Sequence, residues 1–293
     1  MKLKHIYIAL IACICFACES GTSQNKNYIT DLTIDNNGLT CDGITMGNHT
    51  GNIKKSEFSY GEKITLYYKN MTGFVLQDSL AYPNMDIFVT NKKGDTVMSQ
   101  KDLFKNIKEG YTEEDLNLRS NLTFAAPMIP NNSYQMHINV IDKNSDGYFN
   151  LKKDFTIIEN PLLKTKADGL TYKILYLYSQ TRDIAIVDDN ISPNESVYIL
   201  LEDLEGYAID ADGKVDLLAS ISLTEANGRV INENNNLFPE PVSAVDLKDQ
   251  LYASLKVTEG QISNPVTCVF KVKDKKSGHT FETSVDLIVA KKK

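Results

Sequence analysis

Phe58 to Phe74 reads F-S-Y-G-E-K-I-T-L-Y-Y-K-N-M-T-G-F, and Ile191 to Tyr207 reads I-S-P-N-E-S-V-Y-I-L-L-E-D-L-E-G-Y. Glu62 falls on Glu195 and Gly73 on Gly206, each pair 133 positions apart. Ile64, Leu66 and Tyr68 fall on Val197, Ile199 and Leu201 at the same offset. Apolar and polar residues alternate in both stretches, the period of a strand buried on one face. Each closes on a glycine followed by an aromatic residue, which marks a turn. One β-domain is therefore expected twice.

Outward from that stretch the repeat continues, with small drifts in offset of the kind loop insertions leave. Gly38-Leu39-Thr40 answers Gly169-Leu170-Thr171, and Ile87 and Val89 answer Ile221 and Leu223. Leu116, Leu118, Leu122 and Phe124 read as one strand, answered by Leu247, Leu251, Ala253, Leu255 and Val257. Tyr134, Met136, Ile138 and Val140 face one way and are answered by Val266, Cys268, Phe270 and Val272. Short strands bounded by turn signals, with no convincing amphipathic helix, predict an all-β chain of two tandem antiparallel sandwiches. The expected division is 1–17 signal peptide, 18–27 tether, 28–160 first sandwich and 161–293 second sandwich. Asn160-Pro161 and Lys164 to Asp168 read as a junction with few contacts across it. Pro130-Asn131-Asn132-Ser133-Tyr134 before an alternating strand resembles the tyrosine corner of immunoglobulin-like and fibronectin-like domains, which Val266 lacks in the second copy.

Met1 to His5 is a short basic segment, and the apolar run Ile6 to Ala17 is shorter than the roughly 20 residues a bilayer span needs. Cys13, Cys15 and Cys18 crowd its end. A signal that ends at a cysteine after a small residue resembles the lipobox of bacterial lipoproteins. That resemblance implies cleavage just before the cysteine, diacylglyceryl and palmitate-type acylation, and a lipid anchor in a Gram-negative envelope, at the outer membrane. Cys15-Phe16-Ala17-Cys18 gives a full apolar run and a polar mature start at Glu19. Leu10-Ile11-Ala12-Cys13 fits the letters but leaves Ile14 and Phe16 on the mature terminus. Cys18 is the expected lipidation site, with Cys13 and a plain secretory signal as the alternatives.

The 293 residues are 42% hydrophobic, enough to give each half a core. A net charge of −7 argues against nucleic acid as a partner. Asp142-Lys143-Asn144-Ser145-Asp146-Gly147 matches the first half of a calcium loop, where alternating oxygens and a glycine turn wrap a hard cation. Its twelfth position is Lys153 instead of glutamate, and the matching Asp274-Lys275-Lys276-Ser277-Gly278 reads as a lysine-bearing hairpin turn. Asp142, Asn144 and Asp146 are thus calcium candidates set against a plain hairpin. Asp210-Ala211-Asp212-Gly213, near Glu202, Asp203 and Glu205, and Asp188-Asp189-Asn190 are further acidic loops.

No nucleophile, zinc-protease, P-loop or dinucleotide motif is present; of the expected mature chain's histidines, His49, His137 and His279, neither His137 on a strand nor His279 in a turn has an evident acid or nucleophile partner. Cys268 falls on an inward position and reads as a buried free thiol; Cys41 stays open. A non-enzymatic envelope lipoprotein is therefore expected, acting as a scaffold, adhesin-like or complex-forming module with a protein partner. The second reading is a glycan-binding surface protein that uses Tyr67, Tyr176 or Tyr178 as stacking platforms, since Trp is absent while Tyr numbers 15. Tyr172, Tyr176 and Tyr178 share one parity, which core packing explains equally well.

Replacing Cys18 by Ala is expected to move the protein from the membrane fraction to the soluble one, because acyl chains supply the attachment. Retention in the membrane, with release only on Cys13→Ala, would place the lipid on Cys13.

Overall fold

The computed structural model describes residues 23–27, 31–107 and 109–290. It is nearly all β, with antiparallel sheets and one short helix. The first repeat contributes β1 (Ser23–Asn27), β2 (Leu32–Asn37), β3 (Thr40–Asn48), β4 (Gly51–Asn52), β5 (Glu57–Ser59) and β6 (Lys63–Thr72). It continues with β7 (Pro83–Asn91), β8 (Thr96–Gln100), β9 (Arg119–Thr123), β10 (Asn132–Asp142) and β11 (Tyr148–Ile158). One sheet runs β1-β2-β11-β10-β7-β8, with β5 added parallel to β11; the other runs β4-β3-β6-β9.

The second repeat contributes β12 (Lys164–Asp168), β13 (Ile174–Ser179), β14 (Ile184–Ala185), β15 (Asn190–Ile191), β16 (Val197–Glu202) and β17 (Lys214–Val215). Then follow β18 (Leu217–Glu225), β19 (Val230–Asn234), β20 (Val242–Ser243), α1 (Ala244–Asp249), β21 (Leu251–Leu255), β22 (Val266–Asp274) and β23 (Thr280–Val289). Its sheets run β12-β23-β22-β18-β19, with β15 parallel to β23, and β14-β13-β16-β21. Apart from β1 and the small β17-β20 pair, the strand order of the first repeat recurs. Both are sandwiches of immunoglobulin-like order: a terminal hairpin flanked by the third main strand in one sheet, and the second main strand central in the other.

Burial explains why these strands form where they do. Ile64, Leu66 and Tyr68 on β6, and Val197, Ile199 and Leu201 on β16, point inward and are buried. Each lies in the core cluster of its own sandwich. Tyr134 opens β10, and its hydroxyl meets both the N–H (2.9 Å) and the carbonyl (3.4 Å) of Ile129, a working tyrosine corner.

Two close contacts fix one end of each sandwich. Gly73 and Gly206 have φ of +97° and +91°, and a Cβ there would lie 2.0 and 2.1 Å from the carbonyl oxygens of Gly38 and Gly169. Only glycine fits that backbone crossing. Beside it, the buried Asp142 carboxylate accepts from Val75 N (2.8 Å), and the buried Asp274 accepts from Ala208 N (2.8 Å).

Four expectations need correction. Lys164 to Asp168 is not a junction but strand β12, paired along β23. Ser23–Asn27, placed in the tether, pairs with β2 as β1; residues 28–30 lie outside the described residues. Leu247 sits on α1 instead of a strand, because Ser243 caps the segment by accepting from Asp246 N and Lys248 lies in the last turn. Leu116 and Leu118 are buried but precede β9.

The contacts between repeats also exceed the few expected. Ile174 packs into the first core, and the rings of Tyr60 and Tyr176 meet at 5.2 Å and 63°. Asn160 donates to the Ile186 carbonyl at 2.7 Å, and His49 faces Asp188 at 3.8 Å. Gly61 (φ +83°) lies so near Ala185 that a Cβ on it would come within 2.8 Å of the alanine methyl.

Leu66→Ala and Ile199→Ala are each expected to cost about 2–5 kcal/mol, the range for truncation in a packed core. By calorimetry each should lower the transition of its own sandwich, whereas Ile174→Ala should lower both. Thr65→Ser, on the outward face of β6, should leave both transitions in place.

Candidate functional site

The outer face of the β13-β16-β21 sheet carries the least expected chemistry. Along β13 the outward residues are Tyr176 and Tyr178; along β16 they are Tyr198, Leu200 and Glu202; along β21, Tyr252 and Ser254. Registration brings them together: Leu200 lies between Tyr176 and Tyr252, and Tyr198 between Tyr178 and Ser254. The flanking rings cover Leu200, which is only 8% exposed although it points outward. Tyr252 is 55% exposed, and its ring meets that of Tyr198 at 5.8 Å and 63°.

Polar tips hold these rings in place. Tyr178 donates to the Asp183 carboxylate, Tyr198 to Gln180 at 3.1 Å and Tyr176 to Glu202 Oε1 at 3.4 Å. Each ring thus keeps one face for packing and its hydroxyl wet or satisfied. The Tyr198–Tyr252 pair is not coplanar, and the Tyr176 ring is turned against the buried Tyr60 of the first repeat.

Glu202 lines a recess of about 440 Å³ together with Asp203, Val245, Lys248 and Asp249. Lys173 pairs with Asp203 at 3.5 Å and Lys248 with Glu205 at 3.2 Å. Among the described residues, Glu202 and Asp249 have no ion-pair partner. Burial holds the Glu202 carboxyl above its ordinary range, and the Asp249 and Asp203 carboxylates add to this against hydrogen bonds from Tyr176 and Gln250. Val245, 77% exposed, offers an apolar wall to the same recess.

The equivalent face of the first repeat is different in kind. Thr65 stands where Tyr198 does, Tyr67 where Leu200 does, Lys69 for Glu202 and Arg119 for Tyr252. Lys63, Lys69 and Arg119 are exposed there, and among the described residues none of them forms an ion pair.

The calcium candidates are held by the protein itself. Asp142 accepts from Val75 N, from Asn144 N (3.1 Å) and from Ser145 Oγ (2.7 Å), while Asn144 Nδ2 donates to the Val75 carbonyl (2.9 Å). Asp146 is exposed at the turn. Asp274 repeats the arrangement, accepting from Ala208 N, Lys276 N and both the N–H and hydroxyl of Ser277. Of the other acidic loops, Asp210 pairs with Lys276, Asp212 with Lys214 and Asp188 with His49. Among the described residues no three His, Cys, Asp or Glu side chains gather as a metal site.

His137 is on the outward parity but buried, its ring stacked on Phe88 at 4.3 Å, and burial followed by Lys152 lowers its pKa. His279 Nδ1 faces the Gly206 carbonyl at 2.6 Å. Cys268 is a free thiol in the core, pushed up to about 12 by burial. Cys41 is a half-buried free thiol that donates to the Lys69 carbonyl at 3.3 Å. Tyr67 is 48% exposed but stands apart from any aromatic partner among the described residues. Tyr172 precedes β13, and its ring packs edge-on against Phe281. Cys13 and Cys18 lie outside the described residues.

No protein-family model matches the chain, and no curated protein does. The chain is similar to the C-terminal domain of wzt, at 12% identity over 45% of this chain and 81% of that one, with a TM-score of 0.30. It is similar to the native Escherichia coli alpha-2-macroglobulin at 12% identity over 84% of this chain and 14% of that one, TM-score 0.24. The three N-terminal domains of the bacteriophage RB49 highly immunogenic outer capsid protein match at 9% identity over 86% and 70% of the two chains, TM-score 0.21. Likenesses this distant carry no argument about what this chain does.

Millimolar calcium is expected to leave the thermal midpoint unmoved, because a ligand raises it only by binding the native state. A rise abolished by Asp146→Ala would reverse the reading of Asp142, Asn144 and Asp146. Burial raises the Asp274 carboxyl, but hydrogen bonds from Ser277, Ala208 and Lys276 outweigh it and hold the group below the usual carboxylate range. The stability this gives is present above the unfolded value near 3.9 and is lost as pH falls through the lower folded one. Asp274→Asn should therefore flatten the acid side of the melting profile of the second sandwich, measured by circular dichroism.

Proposed function

We propose that the protein is a non-enzymatic, membrane-anchored lipoprotein of the cell envelope that binds a protein partner through the outer β13-β16-β21 face. The supporting observation is an internal comparison. Two copies of one fold keep the same core positions, yet the same outer face is threonine- and lysine-bearing in one copy and tyrosine-rich in the other. Folding does not require those rings, since the first repeat does without them at Thr65 and Arg119. Tyrosine is enriched at protein interfaces because it offers broad contact area at low conformational entropy and a hydroxyl for hydrogen bonding. The tilt of 63° between Tyr198 and Tyr252 gives no flat platform for a sugar ring, which favours a protein partner over a glycan. The signal-like N-terminus with Cys18 supports the anchored, exported placement.

A photo-crosslinking residue in place of Tyr252, expressed in intact cells, is expected to capture a discrete protein adduct. The same residue in place of Lys93, exposed on a turn of the first repeat away from both outer faces, serves as the comparison. Absence of any adduct at 252, with binding to an oligosaccharide array that is lost in Tyr252→Ser, would replace this reading by the glycan one.

A further inference from the structure

We infer that the protein partner of this face is a second copy of the same chain, docked head to tail with its first-repeat outer face on the second-repeat outer face. The inference rests on the function proposed above and names its partner. It starts from the inversion of charge at matched positions: Glu202 on the second repeat occupies the place of Lys69 on the first, and Tyr252 the place of Arg119. Both faces are built on the same three strands, so both have the width and twist of the same kind of sheet.

Charge and chemistry are complementary across that contact. Lys63, Lys69 and Arg119 stand exposed on the first repeat with no acidic partner among the described residues. Glu202 and Asp249 on the second repeat have no basic partner among the described residues, and Glu202 is half-buried beside Tyr176. A lysine entering the recess next to Glu202 would bring a cation to an uncompensated carboxylate and lay its methylene stem along the exposed Val245. An arginine suits the open face of Tyr252, because a guanidinium is drawn to the face of an aromatic ring.

The two faces belong to different repeats, so the contact is heterologous. Each chain that joins leaves one free face of each kind, and the product is an open string instead of a closed pair. Confinement to one membrane would raise the effective concentration of partners well above that in bulk. Ion pairs at the edge of such a contact are screened by salt, so the association should weaken as ionic strength rises.

The test is sedimentation of the full chain in detergent solution over a wide concentration range, with the crosslink at position 252 read in parallel. The wild type is expected to show a weight-average mass that climbs with concentration and falls with salt. Lys69→Glu and Glu202→Lys should each lose that climb. A mixture of these two variants should recover open growth in alternating order, because unlike chains form both the native contact and the charge-swapped one. The double variant Lys69→Glu, Glu202→Lys should recover open growth through the swapped pair, which also shows that neither change unfolds the chain. A wild type that stays monomeric, or growth indifferent to both charge changes, overturns the inference. If the protein stays monomeric while position 252 still captures some other protein, self-docking fails and the interaction function stands. If position 252 captures nothing, both fail.

Discussion

A buried carboxylate closes each end of each sandwich, and the rest of the fold is arranged around keeping those charges satisfied. At one end Asp142 and Asp274 leave the terminal hairpin and accept from the backbone that links the two sheets. At the other end Glu62 accepts from Ser59 N (3.1 Å), Lys55 Nζ (2.8 Å) and Asn48 (2.8 Å). Glu195 repeats it with Ser192 N and Arg182 Nε, both at 2.7 Å. An ionised group taken out of water is tolerated only where donors replace its hydration. Each carboxylate takes at least one backbone N–H at a fixed turn, beside side-chain donors such as Lys55 and Arg182, so the carboxylates specify where the chain must turn. The Gly73–Gly38 and Gly206–Gly169 crossings sit beside the aspartate ends for the same reason: the backbones must approach closely enough to be tied.

The duplication divides positions into those that hold the fold and those free to change. Glu62 and Glu195, Gly73 and Gly206, Asp142 and Asp274 remain the same residue in both copies. Outward positions on the second main strand and its neighbours change in size and sign, as Lys69 and Glu202 do. The tyrosine corner is retained on one side only. In the second copy Asn264 takes over the tie at that place, exchanging hydrogen bonds with the Val289 N–H and carbonyl at 2.9 Å.

Much of this was legible in the sequence because the deciding residues lie close together along it. The alternation around Leu66 and Ile199 gave the buried face, and the glycine-aromatic pair gave the turn. What the sequence hid depends on partners far away. Lys164 to Asp168 looks polar and linker-like, yet it becomes an edge strand because β23 supplies its hydrogen bonds. Ala244–Asp249 keeps the apolar Leu247 of the strand pattern, but the Ser243 cap turns the segment helical. The calcium reading rested on Asp142 and Asn144; Val75, on a loop far off in sequence, donates its N–H to the Asp142 carboxylate and accepts from the Asn144 amide nitrogen. Tyr176 and Tyr178 were visible as one parity of a strand, whereas Tyr198 and Tyr252 join them only through registration across β16 and β21. Comparing outward positions between the two copies, Thr65 with Tyr198 and Arg119 with Tyr252, is the signal that would have found the face.

The short parallel pairings also govern how the molecule bears load. β5 runs parallel to β11 over Glu57–Ser59 and Thr156–Ile158, and β15 parallel to β23 over Asn190–Ile191 and Ile288–Val289. When the two ends of a sandwich are pulled apart, antiparallel β2 peels from β11 one bond at a time. Parallel β5 must instead slide along β11, so its bonds are strained together and resist as a group. Tension on the C-terminal end of β11 therefore loads its parallel pairing with β5 in shear, and the β15–β23 pairing repeats the arrangement in the second sandwich.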